Sequence, residues 1–97
     1  MPTFEWQERF GRDLARLSVD QRAAFAEAVR HFVEDLRRGD GFRAGLRVKT
    51  IQGKSGVWEM TWAGDGRATF SYGPARIAGQ AHVIWRRVGS HVIFKDA

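Results

Sequence analysis

The chain has 97 residues, of which 43% are hydrophobic, and it carries a net charge of +5 and no cysteine. Disulfides and thiolate chemistry are therefore excluded, and a chain of this length supports one hydrophobic core, so we predict a single domain over residues 1–97. No apolar run approaches the roughly 20 residues that span a bilayer, and the charged start is unlike a signal peptide, so we expect a soluble, cytoplasmic protein.

The chain begins with a predicted strand and a short helix. Phe4 and Trp6 alternate with polar neighbours in "TFEWQ", which predicts a strand with one buried face. Apolar residues then recur at helical spacing in "ERFGRDLARL", at Phe10, Leu14 and Leu17. This spacing predicts a first helix that ends at about Leu17.

A second helix is predicted from about Val19. Ser18 and Gln21 form a capping-box pattern, in which the side chain of each residue satisfies the backbone amide of the other. Gly39 follows the last turn, where glycine commonly ends a helix. The apolar stripe of this helix comprises Phe25, Val29, Phe32, Val33 and Leu36.

After Gly45 the hydrophobic period becomes alternating. The segment "LRVKTIQG" predicts a strand with Arg47 and Lys49 on one face. The segments "VWEMTW" and "RATFSY" predict a hairpin joined by the tight turn "AGDG", and "HVIWRRVGSHVIF" predicts a last strand that is broken at Gly89. The order is strand, two helices and three or four antiparallel strands, which indicates an α+β fold with the helices on one face of the sheet.

The positive charge lies almost entirely in the second half of the chain. Residues 1–42 carry seven arginines and eight acidic residues, whereas residues 43–97 carry nine basic and three acidic residues. This asymmetry favours a polyanionic partner such as nucleic acid. A soluble protein from an arginine-rich proteome would have the same balance, so charge alone leaves both interpretations open.

Several kinds of site are not supported by the sequence. His31, His82 and His91 have no spacing typical of metal ligands, so we predict no metal site. His31 lies beside the apolar stripe of the second helix and is interpreted as a solvated or edge-of-core residue. No serine lies in a nucleophile elbow, and "GDG" is interpreted as a hairpin turn and nothing more.

Cationic side chains on the predicted strands remain. Arg47 and Lys49 are expected to share a face, which suits a phosphate backbone, while Arg86 and Arg87 are expected to point to opposite faces. One of these two arginines is then exposed at an edge or pairs with a carboxylate such as Glu59. The alternative is an ordinary solvated sheet face that happens to be basic.

The element order and three segments, "LRVKTIQG", "VWEMTWAGDGRATFSYG" and "HVIWRRVGSHVIF", resemble the RelE/ParE superfamily of bacterial toxins. The most specific features are an arginine that opens the second hairpin strand, here Arg67, and a last strand that runs into a basic or histidine-containing tail, residues 86–94. The resemblance covers nearly the whole chain. It implies a RelE-like fold, with an N-terminal strand and two antiparallel helices packed on a mainly antiparallel sheet of four or five strands.

The resemblance also implies an activity. The RNase branch of this superfamily cleaves mRNA in the ribosomal decoding site without a metal, and it needs cations around the phosphate and groups that transfer protons. By this resemblance Arg67, His91 and Lys49 are the expected catalytic residues. The expected RNA-binding residues are Arg47, Lys54, Arg86, Arg87 and Phe94. The implied partners are a cognate antitoxin protein, mRNA and the ribosome, with no cofactor and no membrane.

Two other interpretations remain open. A toxin of the ParE branch has the same fold but binds DNA gyrase and is not an enzyme. A nontoxic RNA-binding module of the same fold would bind phosphate without cleaving the strand. Phe94 separates these interpretations only weakly: many RNase members have a tyrosine near the C-terminus, and a phenylalanine there stacks on a base but cannot move a proton.

Overall fold

A computed structural model describes residues 2–97. These residues form two α-helices, five strands and two short 3₁₀ helices, one after the second α-helix and one after the last strand. The helices are α1 (Glu8–Arg16) and α2 (Val19–Arg38), and the 3₁₀ helices are Ala44–Leu46 and His91–Asp96. The strands are β1 (Thr3–Trp6), β2 (Lys49–Thr50), β3 (Trp58–Thr61), β4 (Gly66–Gly73) and β5 (His82–Ser90). Neither α-helix nor any other described helix is long and apolar enough to cross a membrane.

The five strands form one mixed sheet in the order β1-β5-β4-β3-β2. β1 pairs with β5 in parallel, and every other pair is antiparallel. The chain therefore adds its first strand beside its last one. This arrangement confirms the predicted α+β fold with a mainly antiparallel sheet.

Both ends of α2 lie where the sequence predicts them. The Ser18 hydroxyl accepts a hydrogen bond from the Gln21 amide at 3.1 Å, and the Gln21 side chain accepts one from the Ser18 amide at 2.8 Å. At the other end Gly39 takes a left-handed backbone conformation with φ of 77°. Glycine adopts this conformation without the steric cost that a Cβ imposes, which ends the helix.

The core between the helices and the sheet is largely aromatic. The Trp85 ring on β5 contacts four phenylalanine rings, with centroid distances between 5.2 and 5.9 Å. Two of these rings come from α2, one from α1 and one from β4: Phe25, Phe32, Phe10 and Phe70. Such ring pairs each add about 0.5–1.5 kcal/mol beyond the burial of their area. They fix both helices against the centre of the sheet.

The predicted buried face of β1 is wrong. Phe4 is exposed and Trp6 is 61% exposed, although Trp6 stacks on Phe10 at a centroid distance of 6.0 Å. The physical reason is the position of β1 at the edge of the sheet, while the helices cover the central strands. In this short edge strand, alternation of apolar and polar residues therefore does not show which side chains are buried.

The strand predicted over "LRVKTIQG" is reduced to Lys49 and Thr50. Leu46 is buried in the core at the end of a 3₁₀ turn, and Arg47 closes that turn with φ of 49°. The Arg47 amide donates to the Ala44 carbonyl at 3.1 Å instead of joining a strand. The prediction that Arg47 and Lys49 share a strand face is therefore wrong.

A β-bulge interrupts β5 at the two adjacent arginines. Thr69 pairs with Arg87 and Phe70 pairs with Trp85, so Arg86 is an extra residue in β5. The expectation that Arg86 and Arg87 point to opposite faces depended on regular alternation, which does not hold here. The predicted break at Gly89 is also displaced, because β5 continues to Ser90.

Asp13 of α1 occupies the edge of β5 beyond the end of β1. Its Oδ2 accepts hydrogen bonds from the Val88 amide at 3.2 Å and from Arg87 Nε at 2.6 Å, and its Oδ1 accepts one from Arg87 Nη2 at 3.1 Å. The side chain is only 8% exposed. Asp13 therefore satisfies a strand amide that has no neighbouring strand, and it forms a buried ion pair with Arg87.

Asp35, near the end of α2, joins that helix to the following loop. It is 1% exposed and accepts three hydrogen bonds from the amide and guanidinium of Arg43 at 2.8–2.9 Å, and one from Arg38 at 2.9 Å. The side-chain hydrogen bonds from Arg43, followed by the backbone one, hold the pKa of Asp35 well below its usual range.

We expect Asp35→Asn to lower stability most at neutral pH. A carboxylate with a depressed folded pKa contributes its full stability above the unfolded value of about 3.9, and that contribution is lost as the pH falls toward the folded value. The difference between wild type and variant in the free energy of unfolding should therefore stay constant above pH 5 and narrow below it. Urea unfolding from pH 7 to pH 3 measures this difference, and a gap that is independent of pH would contradict the assignment.

Candidate active site

The turn between β3 and β4 confirms the predicted hairpin. The Trp62 amide donates to the Gly66 carbonyl and the Gly66 amide donates to the Ala63 carbonyl, both at 3.1 Å. The indole of Trp62 lies against Gly66, where an added Cβ would come within 2.5 Å of the ring. Trp62 Nε1 also donates to the Arg67 carbonyl at 3.0 Å. These contacts fix the backbone of the turn and the start of β4.

Arg67 uses one end of its guanidinium to hold this turn. Nη1 donates to the carbonyls of Gly66 at 2.9 Å, Gly64 at 3.2 Å and Ala63 at 3.4 Å. Nε and Nη2 have no hydrogen-bond partner among residues 2–97. The turn therefore orients the guanidinium and leaves donors for an anion, since Arg presents its five N–H groups in a rigid plane.

His91 reaches the same turn from the end of β5. Its Nδ1 lies 2.7 Å from Oδ1 of Asp65, and its side chain is 69% exposed. The hydrogen bond from His91 is the main cause that lowers the pKa of Asp65. The carboxylate is therefore ionised, and it accepts a hydrogen bond from the N–H group at Nδ1. A carboxylate on one ring nitrogen fixes the tautomer and the orientation of an imidazole. Nε2 then has no hydrogen-bond partner among residues 2–97 and is the nitrogen left to act on a ligand.

Arg67, Asp65 and His91 thus lie together at one end of the sheet. The strand register supports this, because Arg67 pairs with Gly89, two residues before His91. An oriented guanidinium beside an oriented imidazole can bind a phosphate and transfer a proton at it. Sequence reasoning missed Asp65, although an acidic residue two positions before the hairpin arginine was a signal available in "GDGR".

The two predicted lysines lie apart from this group. Lys49 Nζ is 4.0 Å from Glu59 Oε1, and the register places Lys49 and Arg67 on opposite sides of β3. Their backbones are therefore separated by two strand spacings, about 10 Å, and by two residues along β3, about 7 Å. Lys54 lies in the exposed loop between β2 and β3. This loop precedes β3 whereas the catalytic candidates lie at the turn that follows it, so the described contacts do not bring either lysine to Arg67.

Three further predicted residues lie in or beside the C-terminal segment, and two of them hold it by hydrogen bonds. Arg87 is paired with Asp13 and also donates to the Asp96 carbonyl at 3.2 Å, and Arg86 Nε donates to the Ala97 carbonyl at 3.0 Å. Phe94 is half-buried in the C-terminal 3₁₀ helix. Contact of Arg86, Arg87 and Phe94 with RNA stays a prediction, and both arginines already have structural hydrogen bonds.

Arg47 shares a cleft with Arg67. The cleft has a volume of about 530 Å³ and lies between α2 and the β3–β4 turn. Although Arg47 and Lys49 do not share a strand face, the 3₁₀ helix that Arg47 ends places Arg47 in the same cleft as Arg67. Within residues 2–97, no group of three or more His, Asp or Glu side chains is arranged to hold a metal ion.

The fold is shared with known toxins. The solved structures to which this chain is similar include the E. coli DinJ–YafQ toxin–antitoxin complex, with a TM-score of 0.65, 13% identity and coverage of 94% of this chain and 93% of that one. A YoeB/ParE toxin from Agrobacterium tumefaciens has a TM-score of 0.66, 12% identity and coverage of 92% and 98%. The intact E. coli RelBE complex has a TM-score of 0.61, 15% identity and coverage of 93% and 96%.

No protein-family model matches the sequence, and no curated protein matches it. At 12–15% identity the structural similarity establishes the fold, which is the RelE-like α+β fold of toxin–antitoxin toxins. The fold that the resemblance to the RelE/ParE superfamily implies is therefore confirmed.

Proposed function

We propose that this protein is the toxin of a toxin–antitoxin system and that it cleaves mRNA on the ribosome without a metal ion. The observation that carries the proposal is that Arg67 and His91 both contact the β3–β4 turn at one end of the sheet, Arg67 through the turn carbonyls and His91 through Asp65. The positive second half of the chain suits an RNA substrate. A single domain over residues 1–97, acting in the cytoplasm where mRNA and ribosomes are found, is part of this proposal.

The proposed reaction is an attack of the RNA 2′-hydroxyl on the adjacent phosphate. The 2′-oxygen–phosphorus bond forms, the bond from phosphorus to the 5′-oxygen breaks, and the products carry a 2′,3′-cyclic phosphate and a 5′-hydroxyl. Arg67 stabilises the negative charge that builds up on the phosphorane through the donors that the turn leaves free. Lys49, Lys54 and Arg47 hold the flanking backbone by charge.

His91 transfers a proton through Nε2, since Asp65 holds the proton on Nδ1. It either accepts the proton of the 2′-hydroxyl or donates one to the departing 5′-oxygen, and water completes the second transfer. Phe94 has no proton to transfer, so we assign it to contact with a base.

The proposed protein partner is a cognate antitoxin. The similar YafQ and RelE chains were solved in complexes with antitoxins. A protein that degrades mRNA in its own cell requires neutralisation, and the fold similarity supports the same kind of partner here.

Wild type and the double variant Arg67→Ala, His91→Gln test the activity. We expect wild type to arrest growth and to cut ribosome-bound mRNA, and the double variant to do neither, because loss of an oriented cation and a proton-transfer group each costs about 10²-fold or more. Primer extension on a translated mRNA and growth curves measure the two effects. Equal arrest and equal cleavage by the two proteins would overturn the assignment.

The alternative is a non-enzymatic toxin that binds DNA gyrase, and Phe94 in place of a proton-transferring residue is the observation that favours it. A supercoiling assay without ribosomes separates the two functions, because only the gyrase binder inhibits that enzyme. Binding of RNA that weakens with salt but produces no scission would instead identify a nontoxic RNA-binding module.

A further inference from the structure

The cleft between α2 and the β3–β4 turn is lined by small residues. They leave a volume of about 530 Å³, which is within the range of about 300–1,000 Å³ that is typical of ligand pockets. An added Cβ on Gly45 or Gly64 would meet no atom within 4 Å, so both glycines border open space. The small lining residues are Ala24, Ala28, Gly45, Ala63 and Gly64.

The charge of the cleft is mainly positive. Its lining contains three arginines and His31, against a single acidic residue, Glu27. Arg43 is engaged by Asp35 and Glu34 and serves the fold. The side chain of Arg47 has no hydrogen-bond or ion-pair partner in the described part of the chain, and the Arg67 guanidinium keeps two donor nitrogens free, so both guanidinium groups are available to bind anions.

The backbone of Arg47 is held in a conformation that L-residues rarely adopt. Its φ of 49° is the only positive value among the non-glycine residues of the described chain. The hydrogen bond to Ala44 and the burial of Leu46 maintain it. Strained backbone that the surrounding structure maintains is concentrated at binding and catalytic sites. Here the strain places a guanidinium at the mouth of the cleft.

His31 is the polar side chain that α2 contributes to the wall. It is half-buried, and its Nε2 lies 3.2 Å from Oε1 of Glu27 one turn earlier. Hydrogen bonding from Arg30 is the main cause that lowers the pKa of Glu27, so its carboxylate is an ionised acceptor. Nδ1 of His31 has no partner within residues 2–97 and is available to a ligand.

We propose that this cleft is a nucleotide subsite for the RNA strand next to the scissile phosphate. Arg67 holds the scissile phosphate at the turn, and Arg47 holds the neighbouring phosphate beside the 3₁₀ helix. His31, whose Nε2 lies 3.2 Å from Glu27 Oε1, forms a hydrogen bond through Nδ1 with the base of the nucleotide in the cleft. The inference rests on the proposed RNase function for the identity of the strand. It adds a positioning residue, His31, and a specificity pocket that the catalytic group does not contain.

A 2′-O-methyl RNA trinucleotide tests the cleft, because methylation removes the attacking hydroxyl and leaves the phosphates and bases. We expect chemical shift changes at the Trp62 indole and the Gly45 amide when the full chain is titrated. Arg47→Ala should raise the Kd about ten-fold or more, since a charge-assisted hydrogen bond is lost. It should also reduce the slope of log Kd against log salt by about 0.7, the value for one phosphate contact of a single strand.

Gly45→Leu fills the cleft without changing any charge, and we expect it to weaken binding as strongly as Arg47→Ala. His31→Gln should raise the KM for mRNA cleavage with little change in kcat, the result expected of a residue that positions substrate. Arg12→Ala and Ala23→Leu are the matched controls, because both residues are exposed and lie outside the cleft. Both controls should bind RNA as wild type does, and circular dichroism should show that every variant is folded.

Failure of this inference is distinguishable from failure of the proposed function. If wild type binds the trinucleotide in the cleft but cleaves no mRNA, the subsite stands and the RNase assignment fails. If wild type cleaves mRNA and folded Arg47→Ala and Gly45→Leu bind and cleave normally, the subsite is wrong. Absence of trinucleotide binding by wild type, or loss of antitoxin binding alone in these two variants, would also overturn it.

Discussion

Arg67→Ala is expected to lower ribosome-dependent mRNA cleavage by about 10²–10³-fold, the loss typical of removing one oriented donor from a developing oxyanion. The turn already orients the guanidinium through Nη1, so binding of phosphate by the remaining donors requires little reorganisation. Single-turnover cleavage of mRNA on programmed ribosomes measures the effect. The main loss should fall on kcat, because the charge that Arg67 stabilises develops in the transition state.

Arg67→Lys separates charge from geometry. A lysine keeps the positive charge but has a single ammonium group, which cannot hold the turn carbonyls and a phosphate with a planar fork. We therefore expect activity between that of wild type and Arg67→Ala. Arg12→Ala is the matched control, because it removes an arginine whose partner, Glu8, is on the exposed surface of α1. Wild-type cleavage by folded Arg67→Ala would exclude Arg67 from the reaction.

The parts of the fold that the sequence predicts correctly are those with local causes. Ser18 and Gln21 satisfy amides three residues apart, and Gly39 ends α2 by its own backbone freedom. The β3–β4 hairpin follows from alternation on both sides of a short turn. Each of these signals lies within a few residues of the structure that it determines, so no knowledge of the tertiary structure is needed.

The parts that the sequence does not predict depend on distant contacts. Arg47 leaves the predicted strand because Leu46 is buried against the core. The exposure of Trp6 depends on the place of β1 at the sheet edge, which follows from its pairing with the last strand of the chain. The side chains of β5 stop alternating regularly between the two sheet faces at Arg86, because a β-bulge forms there in the pairing with β4. None of these partners is adjacent in sequence.

The candidate site shows the same division. Arg67 and His91 were predicted from resemblance to a family pattern, and the structure brings both of them to one turn. The spacing in "GDGR" places Asp65 beside Arg67, but its hydrogen bond with His91 joins residues 26 positions apart and follows only from the fold. His31 was interpreted correctly as a residue at the edge of the core, but only the packing of α2 against the turn shows that this edge borders a cleft.

Asp13→Asn is expected to lower the free energy of unfolding by roughly 3–5 kcal/mol, the loss typical of breaking a buried ion pair by removing one partner. The Asp13 hydrogen bond is the main cause that raises the pKa of Arg87 in the wild type. An arginine stays protonated without such a partner, so the variant leaves a charged guanidinium that is only 17% exposed and poorly solvated. A domain of this size has a total stability of about 5–15 kcal/mol, so the loss is a large fraction of it. Urea unfolding of both proteins measures the difference. Glu8→Gln breaks an exposed pair with Arg12 and should cost less than about 1 kcal/mol.

The double variant Asp13→Leu, Arg87→Met distinguishes a structural arginine from one that binds RNA. Apolar replacement of both partners of a buried ion pair is often neutral or stabilising, so this variant should regain part of the stability that Asp13→Asn loses. The remaining loss, about 1–3 kcal/mol, is expected from the buried Val88 amide, which no longer has an acceptor. If Arg87 serves only the fold, the restored protein cleaves mRNA at the wild-type rate. If Arg87 also contacts the RNA backbone, the double variant has a higher KM for mRNA than wild type although it is folded. The slope of log Kd against log salt should then fall by about 0.7, the value for one phosphate contact of a single strand. Stability and KM therefore report separately on the two roles of the same side chain.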